Sequence, residues 1–554
     1  MQQPKVRLGE ILVKLGFITE EHIEVALKIQ KIHKKKLGEI LKELGFVSPR
    51  ELALALAYQA NLPYINLEEY YPKKEALFLL TKRISSLYNA LCVDIDPKEN
   101  SVLVVIDDPY DIRKQATIRS LLKNYKVKFA ISEPEAIIRA IEIYYTYYTN
   151  PLDKQFTEEV LKPDPDIEKV VDLILNMAIY YNASDIHINP LSNVSFLFLR
   201  IDGILQPMTV IPYSLHGPIV SKIKLMANMN VAERRIPQDG SFSYSSLGQK
   251  VDVRVSTLPT AFGEKVVMRV LKKDISKLNL DFLGFLEPQK QLLRKAINLS
   301  FGMVIVSGPT GSGKSTTLYS LLRSINYLKR NVVTVEDPIE YRFNFIYQTE
   351  INTAIGYKFS TALKYFMRQD PDVILLGEIR DDETANTAIE AANTGHLLLS
   401  TIHANCSVTT VQRLLNLVHD KDMALSVLKV ISAQRLLRKL CPFCKEEAKE
   451  DIEILKAKYP TVFDLLKEEP KVYRAKGCER CGGRGYIGRT VLAEVLELDD
   501  NLINMFYQNA SLVDIKKKLE EQNFLDMSKV AAYKILTGET DINEAKRVLG
   551  ANFV

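Results

Sequence analysis

One eight-residue segment, 308–315, constrains the fold more than any other part of the sequence. It reads G-P-T-G-S-G-K-S and satisfies the phosphate-loop pattern G-x-x-x-x-G-K-[ST] at every position. The apolar run 303–306 before it predicts a strand, and residues 316–328 after it predict a helix. A glycine-rich turn that binds nothing is the alternative, but both flanking elements favour a nucleoside triphosphate site.

The loop predicts a role for each of its parts. Its glycines let backbone N–H groups approach a polyphosphate, and the start of the following helix adds partial positive charge. Lys314 is expected to reach the β- and γ-phosphates, and Ser315 to hold Mg²⁺. The residues expected to contact the nucleotide here are Gly308, Pro309, Thr310, Gly311, Ser312, Gly313, Lys314, Ser315 and Thr316.

Length and composition indicate an ordinary soluble protein of several domains. A chain of 554 residues is too long for one core, so about three or four domains are expected. No stretch approaches the roughly 20 apolar residues that span a bilayer, and the start lacks a secretion signal. We therefore expect a cytoplasmic protein with only peripheral membrane contact. The net charge of +5 is small for this length and argues weakly against nucleic-acid binding.

The N-terminal residues contain an internal repeat. Segment 7–18, R-L-G-E-I-L-V-K-L-G-F-I, recurs 29 residues later at 36–47 as K-L-G-E-I-L-K-E-L-G-F-V. Each copy predicts a short amphipathic helix that ends at Gly16 or Gly45, where glycine suits a left-handed stop. A capping residue, Thr19 or Ser48, and a second helix follow each copy. The unit is thus a duplicated pair of helices.

The remaining pattern predicts a multidomain α/β protein. Within the N-terminal domain, 1–145, strands are expected at 91–95 and 102–106, and a helix at 134–145. The polar, proline-containing stretch 146–165 is interpreted as a linker. Domain 166–275 begins with a helix and continues with alternating strands, and domain 280–437 alternates short apolar strands with helices around the phosphate loop. That second pattern is typical of a parallel sheet covered by helices. A cysteine-containing element, 438–490, and a helical region, 491–554, complete the chain.

Two acidic clusters follow predicted strands of the 280–437 domain. The first is T-V-E-D-P-I-E, 334–340, in which Glu336 is a candidate nucleotide-binding residue and Glu340 the candidate general base. A helix-capping acidic turn is the alternative for this cluster. The second, G-E-I-R-D at 377–381, places Glu378 where a magnesium-side acid is expected to act through metal-bound water. Arg380 either senses the γ-phosphate or pairs with Asp381.

Two of the seven histidines bracket a third predicted strand. They are His396 and His403 in the segment 395–405, G-H-L-L-L-S-T-I-H-A-N. A lone histidine is usually structural, but two that flank a buried strand beside a nucleotide site favour a γ-phosphate sensor.

Four of the six cysteines form two C-x-x-C pairs. In a reducing compartment this spacing indicates a metal before a disulfide. Four thiolates suit a closed, tetrahedral, structural zinc site, and free thiols or a disulfide are the alternatives. The expected ligands are Cys441, Cys444, Cys478 and Cys481.

Together these motifs resemble those of the secretion ATPase superfamily. The phosphate loop, E-D-P-I-E, the run R-Q-D-P-D-x-x-L-x-G-E-I-R-D (368–381) and G-H-x-x-x-S-T-x-H (395–403) are most similar to type IV pilus assembly (PilB-like) and type II secretion (GspE-like) ATPases. The resemblance implies a RecA-like ATPase core preceded by a PAS-like domain, in a homohexamer docked on an inner-membrane platform protein. It also implies the tetracysteine element, a water-activating Glu340 and the acid Glu378. One departure is Ala404, where the family often has threonine.

The resemblance carries two further implications for the first 275 residues. In the family, arginines of the PAS-like domain reach the nucleotide, and the matching positions are Arg254 and Arg269. Because their strand neighbours are apolar, each arginine is expected to project from one sheet face, and a solvated face is the alternative. The N-terminal repeat resembles a domain that binds cyclic di-GMP in some members and serves only for docking in others. The residues implied in such binding are Arg7, Leu8, Gly9, Leu37, Gly38 and Asp108, with the departure that Lys36 replaces the second arginine.

The sequence thus favours a cytoplasmic, hexameric ATPase that powers type IV pilus assembly. Type II secretion is the first alternative, because both systems use the motifs above. A nucleic-acid translocase is less favoured, since basic residues do not interleave with aromatic ones, and no nucleic-acid partner is expected. A non-catalytic ATP-binding scaffold would require the hydrolytic acids to be missing, and they are present. The expected ligands are ATP, Mg²⁺ and Zn²⁺, with cyclic di-GMP left open.

Overall fold

The computed structural model describes residues 6–272, 274–478 and 481–554. The chain divides into two compact units, Met1–Asp274 and Ile275–Val554. Each unit has its own buried apolar clusters. Among the described residues, no helix is both long and apolar enough to cross a membrane.

The N-terminal repeat forms two helix pairs, as its sequence predicts. Gly16 and Gly45 adopt φ angles of 74° and 77°. The residue after each glycine donates its N–H back into the helix, Phe17 to the Leu12 carbonyl at 3.0 Å and Phe46 to the Leu41 carbonyl at 2.9 Å. This is the helix-ending hydrogen-bond pattern that glycine permits. The four helices are α1 (Leu8–Lys14), α2 (Glu20–His33), α3 (Leu37–Glu43) and α4 (Pro49–Ala60).

A small α/β layer follows the repeat. Its three-stranded sheet has the order β1-β2-β3, with β1 antiparallel and β3 parallel to the central strand. The strands are apolar on both faces because helices cover them. The elements are α5 (Lys74–Leu77), α6 (Lys82–Tyr88), β1 (Ala90–Asp96), β2 (Ser101–Ile106), α7 (Ile112–Leu121), β3 (Lys126–Ile131) and α8 (Pro134–Thr149).

The stretch interpreted as a linker is ordered, which corrects that expectation. It contains helix α9 (Leu152–Val160), and Leu152, Phe156 and Val160 are buried. These apolar residues recur every four positions and so share one helix face, which packs against the next helix. The prolines at 163 and 165 mark only the short turn after α9.

The rest of the first unit is a six-stranded antiparallel sheet with helices on one face. The strand order is β6-β5-β4-β9-β8-β7. Buried and exposed residues alternate along the strands, so one face packs on helices and the other is open. The elements are α10 (Ile167–Tyr180), β4 (Asp185–Pro190), β5 (Val194–Ile201), β6 (Ile204–Pro212), α11 (Tyr213–Met226), β7 (Gln238–Ser246), β8 (Gln249–Thr260) and β9 (Gly263–Lys272).

The second unit is built on a seven-stranded sheet of order β12-β11-β13-β14-β10-β15-β18. All neighbouring strands are parallel except the last pair. Strands β10, β11, β13 and β14 are buried along their whole length because helices cover both faces of the sheet. The elements before the cysteine pairs are α12 (Glu287–Ile297), β10 (Gly302–Ser307), α13 (Lys314–Ser324), β11 (Val332–Glu336), β12 (Tyr347–Glu350), α14 (Phe359–Phe366), β13 (Val373–Leu376), α15 (Asp382–Asn393), β14 (Leu397–Ile402), α16 (Ser407–Leu417), α17 (Lys421–Val427) and β15 (Leu428–Leu440).

The C-terminal region contributes a strand to this sheet, which corrects the expectation that 491–554 is helical throughout. Val491, Ala493 and Val495 are buried in the core of the sheet, on a strand that crosses the expected boundary at 490. The elements here are β16 (Glu446–Glu447), α18 (Glu450–Lys458), α19 (Pro460–Phe463), β17 (Tyr473–Arg474), β18 (Tyr486–Glu497), α20 (Asp500–Tyr507), α21 (Leu512–Glu521), α22 (Met527–Leu536) and α23 (Ile542–Leu549).

Candidate active site

The phosphate loop connects β10 to α13 at the carboxyl end of β10, which lies between β14 and β15 in the sheet. Gly308 has a φ of 146°, and a Cβ there would lie 2.4 Å from the Gln434 carbonyl oxygen, so the position requires glycine. Pro309, Thr310 and Gly311 are exposed at the tip of the loop. Lys314 Nζ donates to the carbonyl oxygens of Gly308 and Pro309, each at 3.0 Å. The ammonium group is thereby held over the concave side of the loop, where a phosphate would bind.

A side chain from β15 supports the loop from below. Gln434 is fully buried, and its Nε2 donates to the Ser312 carbonyl at 2.8 Å. The Thr317 hydroxyl donates to Gln434 Oε1 at 3.0 Å, which ties the same amide to α13. Sequence reasoning missed Gln434, which is 122 residues from Ser312.

Glu340 lies beside the loop, next to the residue expected to hold magnesium. Ser315 Oγ donates to Glu340 Oε1 at 3.3 Å. The backbone N–H of Glu340 donates to the Tyr319 hydroxyl oxygen at 3.1 Å. A carboxylate within hydrogen-bonding distance of a magnesium ligand is in position to accept a proton from water near the terminal phosphate.

Glu336 occupies a different environment, and its placement corrects the expectation that it contacts the nucleotide. Only 4% of the residue is exposed. Its carboxylate accepts from the Tyr319 hydroxyl, from the Thr334 hydroxyl at 2.6 Å and from Gln348 Nε2 at 3.0 Å. Three donors from neighbouring elements therefore satisfy this buried charge within the protein.

Glu378 follows β13 and lies among positively charged groups. It forms an ion pair with Arg380, and His403 Nε2 lies 3.9 Å from Glu378 Oε2. Burial lowers the pKa of Lys314, and the Glu378 charge partly offsets this. Burial, followed by the charge of Lys314, also lowers the pKa of His403, so its ring is neutral at neutral pH.

The ion pair also corrects one expectation for Arg380. Its partner is Glu378 and not Asp381. The Asp381 carboxylate instead accepts the Thr384 N–H at 2.8 Å and caps α15. Arg380 is thus held on the side of Glu378, near the phosphate loop.

The two histidines are separated by the strand they bracket, which corrects the expectation that both lie beside the nucleotide. β14 runs parallel to β10, and His403 follows its carboxyl end. His396 precedes its amino end, where the His396 carbonyl accepts the Gly302 N–H at 3.1 Å. The intervening strand places the two histidines roughly 20 Å apart. His396 Nδ1 lies 2.8 Å from the Ala391 carbonyl oxygen, which indicates a structural role.

Arg435 is a further cation near the site, and sequence reasoning missed it. Its Nη2 lies 3.3 Å from Asn405 Oδ1, in the loop that carries His403. Its Nη1 is buried and has no hydrogen-bond partner among the residues that the structure describes. The Arg435 charge also contributes to lowering the pKa of Lys314. The site thus combines three cationic side chains, Lys314, Arg380 and Arg435, with the Glu340 and Glu378 carboxylates, a set that suits a polyphosphate together with Mg²⁺.

Arg254 and Arg269 lie in the first unit, on the open face of the six-stranded sheet. They are directly paired on β8 and β9, and both are exposed. Arg269 Nε donates to Asp185 Oδ1 on β4 at 3.2 Å. Arg200, paired with Asp185 from β5, brings its Nε within 3.6 Å of the same carboxylate. Arg254, Arg269, Asp185 and Arg200 are thus neighbours across four strands, and we call this set the arginine row. With three arginines and one aspartate, the arginine row is a cationic strip on an open surface.

The N-terminal repeat brings its two Leu-Gly steps face to face. A Cβ at Gly9 would lie 3.6 Å from Leu37 Cδ2, and one at Gly38 would lie 3.5 Å from Leu8 Cδ2. The pairing is reciprocal elsewhere too: the Gln59 amide donates to the Val6 carbonyl and the Gln30 amide to the Lys35 carbonyl, each at 2.8 Å. Arg7 is exposed, and Lys36 Nζ lies 3.7 Å from Asp108 Oδ2. The residues implied in ligand binding thus surround a pseudo-two-fold axis.

The four cysteines of the two pairs form one cluster. Their sulfur atoms all lie within 4.8 Å of one another. The Cys441–Cys478 and Cys444–Cys481 sulfur distances are both 3.9 Å, so neither pair is a disulfide. A tetrahedral zinc ion with bonds of about 2.3 Å requires sulfur atoms about 3.8 Å apart, so the cluster fits this ion. Burial raises the pKa of Cys441 and of Cys444. For Cys481 burial acts in the same direction, but hydrogen bonds from the N–H groups of Cys478 and Gly485 outweigh it and lower the pKa of this thiol.

Comparison with known proteins identifies the family. Residues 161–547 match the family described as Type II/IV secretion system protein, and residues 60–147 match the MshEN domain. PilB of Myxococcus xanthus, a type IV pilus assembly ATPase, is 35% identical in an alignment 562 positions long, which covers 97% of this chain and 98% of that protein. The chain belongs to the type II/IV secretion system protein family.

Two further matches cover a smaller part of this chain. The type II secretion system ATPase E of Vibrio cholerae is 40% identical over 394 residues, which are 71% of this chain and 77% of that protein. The crystal structure of the ATPase DotB from Legionella pneumophila superposes with a TM-score of 0.50 and 19% identity, covering 70% of this chain and 96% of DotB. The expected multidomain α/β architecture with an ATPase core is thus confirmed.

Proposed function

We propose that this chain is a cytoplasmic motor that hydrolyses ATP to drive pilin polymerisation into type IV pili at the inner membrane. The observation that carries the proposal is the 35% identity to a pilus assembly ATPase over nearly the whole of both chains. The type II secretion relative aligns with only 71% of this chain. The partners of this chain would be further copies of itself, in a homohexamer, and a membrane platform protein.

The site supports hydrolysis by a division of roles. Lys314 would bind the β- and γ-phosphates, while Ser315, with Glu378 through water, would hold the Mg²⁺ that neutralises phosphate charge. Glu340, hydrogen-bonded to Ser315, would accept the proton of the attacking water. Arg380 and His403 lie on the Glu378 side and would contact the terminal phosphate. Arg254 and Arg269 would come from a neighbouring protomer, since they stand on an exposed sheet face.

Replacement of the proposed base tests this assignment. Purified full-length Glu340→Gln should lose roughly 100-fold or more in ATP turnover while still binding ATP, because general-base catalysis contributes on that order. Glu383→Gln removes an exposed carboxylate of α15 and is the matched control. Full turnover by Glu340→Gln would show that another group activates water.

The cellular role is tested by complementing a host that lacks the gene. Wild-type protein should restore surface pili, and Glu340→Gln should not. Restored secretion of extracellular enzymes without pili would favour the type II system. ATPase activity that rises on addition of DNA would favour a nucleic-acid translocase.

We further propose that the N-terminal repeat binds cyclic di-GMP. A two-fold symmetric ligand suits the two-fold related Leu8-Gly9 and Leu37-Gly38 steps, in which each buried glycine lies close to the leucine of the other repeat. Arg7 would stack on or hydrogen-bond a guanine, and Lys36 with Asp108 would form the other half-site. Titration calorimetry should give heat with wild type and with an Arg83→Ala control, and less with Arg7→Ala. No heat with wild type would leave docking as the function of this domain.

The cysteine cluster is proposed to hold structural zinc. The sulfur spacing fits a tetrahedral ion, and no histidine or carboxylate joins the cluster among the described residues. Zinc would cross-link the segments that carry the two pairs. About one zinc per chain is expected by atomic absorption, and none in Cys441→Ser protein.

A further inference from the structure

Tyr319 connects the buried carboxylate of Glu336 to the proposed base. Its hydroxyl donates to Glu336 and accepts the Glu340 backbone N–H at 3.1 Å. A phenol offers one donor and accepts through its lone pairs, so both interactions form at once. Burial and then the Glu336 charge raise the pKa of Tyr319, so the hydroxyl keeps its proton and remains a donor.

Helix geometry brings two side chains to the same residue. Ser315 and Tyr319 are four positions apart on α13 and therefore share one helix face. The Ser315 hydroxyl donates to the Glu340 carboxylate, and Tyr319 holds the Glu340 backbone. The proposed base is thus held at its main chain and at its side chain by the helix that begins at the phosphate loop.

The segment around Glu340 is enclosed by the same network. The Tyr319 ring contacts the rings of Tyr341 and Phe343, with centroids 5.2 and 5.6 Å away. Gln348 donates to Glu336 and to the Tyr341 carbonyl, and accepts the Phe343 N–H at 2.9 Å. An irregular segment without strand or helix bonds depends on such contacts for a fixed conformation.

We propose that Tyr319, anchored by Glu336, is a positioning residue that sets the Glu340 carboxylate opposite Ser315. The inference rests on the proposed function, because it concerns the base of ATP hydrolysis. Tyr319 touches neither the phosphates nor the reacting water in this assignment. It acts only through Glu340.

The test is Tyr319→Phe, which removes one oxygen and leaves the ring in its packing. We expect kcat for ATP hydrolysis to fall roughly 10- to 100-fold, the cost of a base displaced by about 1 Å. The KM for ATP should change less than about twofold, since the phosphate loop is untouched. Tyr459→Phe is the matched control, because the Tyr459 hydroxyl donates to the Phe553 carbonyl at 2.7 Å elsewhere in the same unit.

A double variant separates positioning from a general structural role. If Tyr319 acts through Glu340, Tyr319→Phe combined with Glu340→Gln should be no slower than Glu340→Gln alone. A multiplied loss, an equal loss in Tyr459→Phe, or wild-type kcat in Tyr319→Phe would overturn the inference. Should Tyr319→Phe fail to fold by circular dichroism, Glu336→Gln tests the same link and should also lower kcat without raising KM. If Glu340→Gln kept the full ATP turnover of wild type, the assignment of Glu340 as the base would itself be refuted.

Discussion

At the scale of single residues, Arg435 is a side chain near the phosphate loop whose guanidinium group could bind an anion. Among the described residues its Nη1 has no hydrogen-bond partner, which is costly for a buried guanidinium nitrogen, and an anion would satisfy it. Its neighbour Gln434 contacts the phosphate loop, so the backbone of β15 already reaches the site. The Arg435 charge also lies close enough to Lys314 to contribute to lowering the pKa of that lysine.

Replacing this arginine should weaken nucleotide binding. For Arg435→Gln we expect the Kd of a slowly hydrolysed ATP analogue to rise about 10-fold, the contribution of one charge-assisted hydrogen bond. Arg435→Lys should lose less because it keeps the charge. Titration calorimetry measures both, with Arg294→Gln on the surface of α12 as the control. An unchanged Kd in Arg435→Gln would assign the side chain to structure alone.

The sequence predicted only those residues of the site that belong to short, recognisable motifs. The phosphate loop, Glu340, Glu378 and His403 come together because strand ends converge at one sheet edge. Gln434 and Tyr319 escaped notice because an amide or a phenol has no distinctive pattern, and their partners are set by packing across the sheet. Glu336 shows the reverse error, since nothing in its sequence position reveals that three donors enclose it.

At the scale of elements, the junction of α9 and α10 depends on one carboxylate. Glu159, near the end of α9, accepts from Lys162 and Lys169 at 2.8 and 2.7 Å. It also accepts the N–H of Asp166, the residue that caps α10. Hydrogen bonds from Lys162 and Lys169 lower the pKa of Glu159 to about 2.

This carboxylate should make the stability of the first unit depend on pH. Because the pKa is lower in the folded state, the contribution is present above the unfolded value near 4.5 and is lost as pH falls toward 2. Glu159→Gln should therefore lower the urea midpoint at pH 7, and the difference from wild type should shrink progressively below pH 4.5. Glu158→Gln, an exposed i,i+4 partner of Lys154, is the control. A difference that stays constant down to acid pH would exclude the ionised carboxylate as its cause.

Helices and strands could be predicted where the periodicity of apolar residues is strong. The prediction failed where the local composition was misleading. The repeat helices follow from their Gly and Ser signals, and the Ser48–Glu51 capping box forms as expected, with Glu51 accepting the Ser48 N–H at 2.7 Å. Helix α9 was missed because polar residues and nearby prolines obscured three apolar residues at four-residue spacing. The β18 strand was missed because its pairing partner β15 lies beyond the intervening cysteine element.

At the scale of the whole molecule, the residues proposed to act in catalysis belong to two compact units. The phosphate loop, Glu340 and Glu378 belong to the second unit, and the arginine row belongs to the first. In the row, the buried Asp185 holds Arg269 and approaches Arg200, so the guanidinium groups are fixed on an otherwise open sheet. An exposed, ordered cationic strip is suited to anions supplied by another molecule. A ring of identical protomers would provide such an anion at every interface.

Mixing inactive variants tests whether the arginines act between protomers. Arg269→Ala keeps a nucleotide site but lacks the arginine, and Lys314→Ala lacks the site but keeps the arginine. If Arg269 acts on a neighbour's nucleotide, an equal mixture should regain activity, with up to about a quarter of the sites complete in randomly assembled rings. ATP turnover measured after co-assembly reports this directly. The control mixture combines Arg269→Ala with a Lys314→Ala chain that also carries Arg269→Ala, and it should stay inactive. If the first mixture is no more active than its components, the arginine serves the nucleotide of its own chain or none at all.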